Sequence, residues 1–446
     1  MKSKFNTMKL MVLVTGLLFL TGRTIAQQSP IQFFRPYDKR GINVYETSKQ
    51  DTVAYDGFKL RLGGNFTQGW QNLGHSNNTN VAANKLYDLA AGFPLAQANF
   101  NMDVQITDGV RLNLVSYMSS HHHNEFWVKG GYFQIDKVGF LKSDFFNKLW
   151  KNMTMKVGHM EINYGDQHFR RSDGGNTLWN PFIENYIMDE FTTEIGAELY
   201  WQKNGIVSMI ALTDGEIQGN VLGANGARKP SLYGKLGYDK QINDDLRIRL
   251  TGSFYTTKSS VSNTLFGGDR TGSNYYFAME PTTATLTANA FSGRFNPGYR
   301  DNVTTFMVNP FVKYAGFEFF GTYESAKGNS AIENGEGTNL AKRDPRKTTQ
   351  IAADLLYRFG SSEQFYVGAR YNQVKSTIAY GIGAATQGTL TDVTISRTAI
   401  GAGWFLTRNV LFKGEYVSQK YEGYPANDRL AEGKFSGWVV QGIIGF

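Results

Sequence analysis

From Gly57 onward, apolar and polar positions alternate along the chain. Phe58, Leu60, Leu62 and Phe66 share one phase, while Lys59, Arg61, Asn65 and Thr67 share the other. A period of two places these sets on opposite faces of a β-strand. The pattern returns at Val110, Leu112 and Leu114, at Leu246, Ile248, Leu250 and Phe254, at Ile351, Ala353, Leu355, Tyr357 and Phe359, and at Val410, Phe412 and Tyr416. The predicted strands run about ten to thirteen residues, the length a tilted strand needs to cross a bilayer and about twice that of a soluble strand.

The connections between these stretches alternate in length. Asp108-Gly109, Lys203-Asn204-Gly205, Asn243-Asp244-Asp245, Ala315-Gly316, Ser361-Ser362 and Thr407-Arg408-Asn409 are tight turns. Segments 73–95, 163–192, 214–230, 258–302, 328–346 and 377–392 are long. Short periplasmic turns opposite long external loops are the signature of an all-β transmembrane antiparallel β-barrel. The expected strands lie near 57–71, 96–107, 110–120, 125–138, 151–162, 193–202, 206–213, 231–241, 246–257, 303–314, 317–327, 347–359, 363–376, 393–406, 409–421 and 434–446, about 16 in all. If 273–279 forms half of another hairpin, 18 result. Phe140, Leu141, Phe145, Phe146, Leu149 and Trp150 break the tight-turn rule and predict a short amphipathic helix at the periplasmic rim.

Both ends of the chain fit export and barrel closure. Lys2, Lys4 and Lys9 precede a short apolar run, Leu10 to Leu20, and Thr24-Ile25-Ala26 offers a small-residue cleavage site. That is the grammar of a signal peptide, and the run is too short to span a bilayer. The expected organisation is a signal peptide at 1–26, a periplasmic N-terminal extension at 27–56 and an outer-membrane barrel at 57–446. At the other end Trp438, Val440, Gly442, Ile444 and Phe446 fall on one face. A final aromatic on the lipid face of a last strand resembles the signal read by the barrel-assembly machinery.

Composition narrows the alternatives. Cysteine is absent, which excludes a cysteine-linked lipid anchor and a disulfide framework. The formal charge of +8 falls to +4 once Lys2, Lys4, Lys9 and Arg23 leave with the signal, and no dense basic run exists. No nucleic-acid partner is expected.

The stretch Met155-Lys156-Val157-Gly158-His159-Met160, a long loop, Thr193-Glu194-Ile195-Gly196-Ala197-Glu198-Leu199 and then Met209-Ile210-Ala211-Leu212-Thr213-Asp214-Gly215 resembles the middle of the phosphate-selective porin O/P family. There a Val-Gly strand leads into a loop, a strand with a central Gly follows, and the next ends in Asn-Gly, here replaced by Asp214-Gly215. The hairpin Trp404-Phe405-Leu406-Thr407-Arg408-Asn409-Val410 and the mature start at Gln27-Gln28 are similar to outer-membrane porins of the Bacteroidetes. The family's arginine ladder and lysine cluster have no residue-by-residue match, so phosphate selectivity does not carry over. The resemblance implies a trimeric, water-filled passive channel in the outer membrane of a Gram-negative bacterium.

A barrel of about sixteen strands leaves room for water, and its inward charges set selectivity. The alternation assigns Lys59, Arg61, Arg111, Lys156, Lys235, Arg247, Arg249, Lys313, Arg358, Arg370, Arg397 and Lys413 to the inward face, with Glu194, Glu198, Glu318, Glu324, Asp354 and Glu415. The basic excess predicts a modest anion preference by electrostatic focusing. By analogy with porins, loop 163–192 is expected to fold inward and narrow the pore. It carries Asp166, His168, Arg170, Arg171, Asp173, Glu184, Asp189 and Glu190, with Trp179 and Phe182. Arg170 and Arg171 are the expected solute contacts, because guanidinium is a strong anion ligand.

Other classes find less support. His121-His122-His123 lacks a second ligand set at zinc-like spacing, so no metal and no cofactor are expected. His159 and His168 sit in no nucleophile motif such as Gly-x-Ser-x-Gly, and no catalytic residue is assigned. Gly63-Gly64 and Gly267-Gly268 are turn, kink or packing glycines outside any phosphate-loop context. An energy-coupled receptor would need a plug domain larger than residues 27–56. The alternative from another class is a structural or secretion-associated barrel that docks partner proteins through external loops, above all the Tyr- and Gly-rich 258–302.

Overall fold

The alternating phases fold as sixteen antiparallel strands. They are β1 (Lys59–Ser76), β2 (Gln97–Thr107), β3 (Val110–Met118) and β4 (Trp127–Ile135); β5 (Met153–Glu161), β6 (Thr193–Lys203), β7 (Ile206–Thr213) and β8 (Ser231–Gln241); β9 (Leu246–Thr257), β10 (Asp301–Tyr314), β11 (Phe317–Asn329) and β12 (Arg346–Phe359); and β13 (Phe365–Tyr380), β14 (Thr389–Thr407), β15 (Val410–Glu422) and β16 (Lys434–Gly445). This computed structural model describes residues 29–119, 125–172, 175–214, 229–258, 263–330, 332–333, 341–383 and 386–446. Residues 1–28, with the expected signal peptide, and His121–His123 lie outside that set, as does Asp173.

Each strand pairs with its sequence neighbours, and β1 closes on β16 in a register running from Asn65 opposite Gly445 to Ser76 opposite Lys434. Closure removes every unpaired edge, which a strand in hydrocarbon requires. Gly64 and Phe446 exchange both backbone hydrogen bonds at 3.0 Å, sealing the end of the seam. The tight turns use the expected chemistry. Asn204 and Gly205 both take positive φ (53° and 86°), the left-handed pair a two-residue hairpin demands.

The outer wall is apolar. Phe306, Leu355, Ile400 and Leu236 are 59–65% exposed, far above what water-facing Phe, Leu and Ile usually show, and they belong to one continuous band. At the short-turn rim Phe317, Tyr357, Phe359, Phe365 and Trp404 stack in a row, with successive centroids 4.6, 5.9, 5.5 and 6.0 Å apart. Amphipathic rings at the headgroup level are the expected girdle of a membrane barrel. No helix among the described residues is long and apolar enough to cross a membrane.

Two details differ from the sequence expectations. Residues 273–279 form no strand, so the eighteen-strand count does not arise. Tyr275 and Met279 are buried inside the barrel, while Tyr276 and Phe277 are half-buried. Several strands also overshoot a membrane's width: β1 reaches Ser76 and β14 spans 19 residues. As the sequence predicts, the turn at 139–150 forms a short helix, α1 (Asp144–Trp150), at the rim that carries the tight turns.

The barrel interior is largely filled. Residues 31–47 thread inward from the short-turn rim, where Lys39 N donates to Arg408 O at 2.8 Å and Lys49 Nζ donates to Met153 O at 2.7 Å. Residues 162–192 and 263–300 pack beside them. Ile183, Ile187, Met188, Leu265, Phe266 and Tyr275 join inward residues of the wall, such as Met209, Tyr255, Val303, Met307 and Val417, in one apolar core. The fit is close: a Cβ on Gly63 would lie 2.5 Å from the Tyr37 ring, and one on Gly175 would lie 2.4 Å from Ala98 Cα.

Candidate pore

Burying three irregular segments inside a barrel creates an electrostatic and hydrogen-bonding problem. Their backbone groups lie away from water and need partners. The inward Lys and Arg of the wall supply many of them. Lys413 Nζ on β15 donates to the carbonyls of Thr177, Asn180 and Phe182 at 2.7–2.8 Å. Arg397 on β14 donates to Asn185 O at 2.6 Å and to Gly293 O at 2.7 Å, joining two inner segments. Arg370 on β13 donates to Glu184 O at 2.7 Å while pairing with Asp354 at 2.7 Å. Arg358 pairs with Glu318 at 2.5 Å, and Arg170 reaches the same carboxylate at 3.4 Å.

A second cluster binds both the N-terminal segment and loop 162–192 to β8 and β9. The Asp166 carboxylate accepts from Lys235 Nζ at 2.8 Å, Arg249 Nε at 2.7 Å and Thr251 Oγ1 at 2.7 Å. Glu46 completes it, 2.8 Å from Arg249 and 3.4 Å from Lys235. Burial pushes both acids upward, but the charges of Arg249 and Lys235 outweigh it and hold them well below the usual carboxylate range. Arg247, beside them, is forked on Asp239 and donates to Asn43 O at 2.9 Å.

These contacts revise the expected set of pore-lining charges. Arg249, Arg370, Arg397 and Lys413 point inward onto the inner segments. Lys235, Arg249, Arg358, Arg370, Arg397 and Lys413 are buried against the inner segments and meet little water. Glu194, Glu198, Glu318, Glu324, Asp354 and Glu415 are buried in the same way. A twelve-to-six excess therefore does not line an aqueous channel, because alternation reports which way a side chain points and not what covers it. Lys313 pairs with Glu363 at 2.7 Å and Lys59 with Asp56 at 2.6 Å, both near the short-turn rim. Arg61 lies over the Phe34 ring at 4.7 Å.

The residues expected at a constriction are distributed differently from the expectation. Arg170, bonded to Asn43 and packed over Phe320 at 5.0 Å, is buried. Arg171 bridges Glu161 and Asp189, each at 3.0 Å, over the Phe191 ring. Glu184 accepts from Ser273 Oγ at 2.6 Å and pairs with Arg294 at 3.2 Å. Arg170 and Arg171 are thus enclosed by protein groups, which corrects their assignment as the leading solute contacts. His168 faces open space together with Phe169 and shares a hydrogen bond of 2.7 Å with Asn163 Oδ1. Burial, then the charge of Lys235, holds its imidazole well below the usual range.

One cavity among the described residues lies to one side of the barrel. A cavity of about 230 Å³ runs between the inner segments and the inward faces of β2 to β6. Asn99, Asn101 and Asp103 of β2, Arg111 and Asn113 of β3, Lys129, Tyr132 and Gln134 of β4, and Thr154 and Lys156 of β5 form its wall side. Phe34, Arg35, Tyr37, Tyr45, Glu46, Phe169 and Trp179 face them. Arg35 lies 3.5 Å above the Trp179 ring, and Tyr37 OH donates to Asp103 at 2.8 Å. Lys156 is the most water-accessible of the expected basic residues here, with 26% of its side chain exposed and Glu198 3.9 Å away. Asp103, Lys129 and the N-terminal Arg35 were absent from the sequence-based set. Asp103 was legible, since Gln97, Asn99, Asn101, Asp103 and Gln105 form one unbroken polar phase. Among the described residues no group of three or more His, Asp and Glu is placed to hold a metal.

The barrel-end residues Trp438, Val440, Ile444 and Phe446 all project from the outer wall, 42–55% exposed.

No family model matches the sequence, and no curated protein matches it. Solved structures do. An anion-selective porin from Comamonas acidovorans superposes with a TM-score of 0.51 at 11% identity, over 87% of this chain and 100% of that one. The outer membrane channel DcaP of Acinetobacter baumannii gives 0.49 at 9% identity, over 88% and 99%. OmpT, an outer membrane protein of Vibrio cholerae, gives 0.48 at 10% identity, over 88% and 99%. At these identities the likeness is one of fold: a closed sixteen-strand barrel of the porin kind.

Proposed function

We propose that this chain is an outer-membrane porin of a Gram-negative bacterium. It gives passive diffusion to small polar solutes along the cavity beside β2 to β6. The observation that carries the reading is the combination of an apolar outer wall with an off-centre cavity, lined by charged and aromatic side chains, inside a closed barrel. A barrel that served only as a scaffold would gain nothing from an unfilled space lined by charged groups, since empty volume costs packing energy.

The proposal includes a mild anion preference. Arg35, Arg111, Lys129 and Lys156 face the cavity against Glu46, Asp103 and Glu161, which leaves one positive charge in excess. Loop 162–192 acts as the constriction by setting the size of this passage. Its His168, Phe169 and Trp179 line the space, and Asp166 and Glu184 anchor the loop. The N-terminal extension left after residues 1–26 are removed at export completes the constriction from the periplasmic side through residues 31–47. Trp438, Val440, Ile444 and Phe446 serve as the barrel-assembly signal, and the assembly is a homotrimer. The docking alternative loses its motivation, because much of 263–300 is buried inside the barrel.

Planar-bilayer recording tests the proposal. Purified protein should give discrete conductance steps, and a salt gradient should give a reversal potential on the anion side. A barrel that inserts and never conducts ions would refute it.

A further inference from the structure

The turn joining β4 to β5 carries more structure than a connection needs. The other connections at its rim are tight, whereas residues 136–152 hold a single 3₁₀ turn at Gly139–Leu141 followed by α1. Helical geometry of 100° per residue gathers Phe145, Phe146, Leu149 and Trp150 on one side of α1. Asn147, Lys148 and Lys151 fall on the other. Phe140, Leu141, Phe145, Phe146 and Leu149 are 40–69% exposed, although five large apolar groups together would normally be covered.

Two observations say what covers them. First, the patch continues an existing apolar surface. Trp150 Nε1 donates to Ile135 O at 3.2 Å, tying α1 to the end of β4, where Phe133 is 50% exposed on the outer wall beside Val157 of β5. Second, the flanking charge is positive. Lys142, Lys148 and Lys151 are all exposed, against one exposed acid, Asp144. An amphipathic helix with basic flanks fits the boundary between acyl chains and anionic headgroups.

We propose that residues 137–151 form an interfacial anchor. Their apolar side chains enter the acyl region of the periplasmic leaflet, and Lys142, Lys148 and Lys151 engage the phosphates of anionic phospholipid. The inference rests on the membrane-barrel reading above and adds a lipid site to it. The anchor would fix the depth of the barrel at β4 and β5, on the arc of wall that also borders the cavity.

The chain has no cysteine, so single cysteines can be introduced cleanly. Phe145→Cys, Leu149→Cys and Asn147→Cys would carry a nitroxide in the full barrel reconstituted in phosphatidylethanolamine vesicles with or without phosphatidylglycerol. Val308→Cys on the outer band and Asp244→Cys in a tight turn are the references. Labels at 145 and 149 should match Val308, with oxygen access several-fold above access by a water-soluble nickel chelate, while 147 should match Asp244. Phosphatidylglycerol should deepen the 145 label, and the combined variant Lys142→Gln, Lys148→Gln and Lys151→Gln should abolish that change. Chelate-dominated labels at 145 and 149 beside an oxygen-dominated Val308 would overturn the anchor and leave the barrel reading intact. A chelate-dominated Val308 would overturn both. A 145 label indifferent to phosphatidylglycerol would remove the phosphate half.

Discussion

Replacing Asp166 with Asn removes one charge from a buried, balanced cluster. In the wild type, Lys235 and Arg249 face Asp166 and Glu46, with no exposed side-chain surface on Lys235, Arg249 or Asp166. Asn keeps the shape but leaves two buried cations against one carboxylate of the inner segments. It also weakens three hydrogen bonds of 2.7–2.8 Å to charged donors. Breaking a buried pair from one side costs about 3–5 kcal/mol. The barrel wall has a cheaper escape than global unfolding: loop 162–192 can leave the wall and admit water to Lys235 and Arg249. A penalty of that size shifts the loop's docking equilibrium by roughly 10²- to 10⁴-fold toward the released state. The assays are single-channel conductance and limited proteolysis of the reconstituted barrel. Asp166→Asn should raise the conductance, add open-state noise and expose the loop to cleavage while the strands stay resistant. Unchanged conductance and unchanged cleavage would refute the idea that this cluster holds the inner segments in place.

Lys413→Met leaves three loop carbonyls without their shared donor and should lower stability by about 2–4 kcal/mol, read as a lower temperature for conversion to the unfolded band on gels. A conversion temperature within error of the wild type would contradict the donor role. Glu190, in loop 162–192, carries a carboxyl that burial, and then the facing Glu324, pushes well above the usual range, with Asp189 and Tyr164 also nearby. An acid raised in the folded state contributes fully below its unfolded pKa and loses that contribution as pH rises toward the folded value. Wild type minus Glu190→Gln should therefore fall in stability from about pH 4.3 upward, and parallel curves would contradict it. Lys156→Gln should lower the anion-to-cation permeability ratio measured in a salt gradient; an unchanged ratio would place the selective charge elsewhere.

Much of the barrel was legible because hydrocarbon enforces it. The outward residues Leu246, Ile248, Leu250 and Phe254 of β9 and Ile351, Ala353, Leu355, Tyr357 and Phe359 of β12 had to be apolar, and Asn204-Gly205 had to turn tightly, so alternation and turn chemistry located the strands. The lumen imposes no such period. Residues 31–47 and 263–300 pack among polar and aromatic wall residues, so they carry neither the strand nor the helix signature. For the same reason the aromatic run at 273–279 read as half a hairpin, although it forms no strand and buries Tyr275 in the interior. Arg397 and Lys413 were placed correctly on the inward face, but only the fold shows them satisfying loop carbonyls. Lys129 escaped notice because the register shifts between Val115 and Ser116 beside Gly130 and Gly131, which breaks the alternation of β4.

In the proposed channel, solute passes beside β2 to β6 and not along the opposite wall. Cysteine blockade in planar bilayers tests it most directly, with Lys156→Cys on the cavity side and Asn372→Cys on β13, where the native side chain is fully covered and accepts from Ile187 N. A charged thiol reagent should cut the current through Lys156→Cys in discrete steps and leave Asn372→Cys untouched. Blockade at 372 without blockade at 156 would put the path elsewhere and contradict the account.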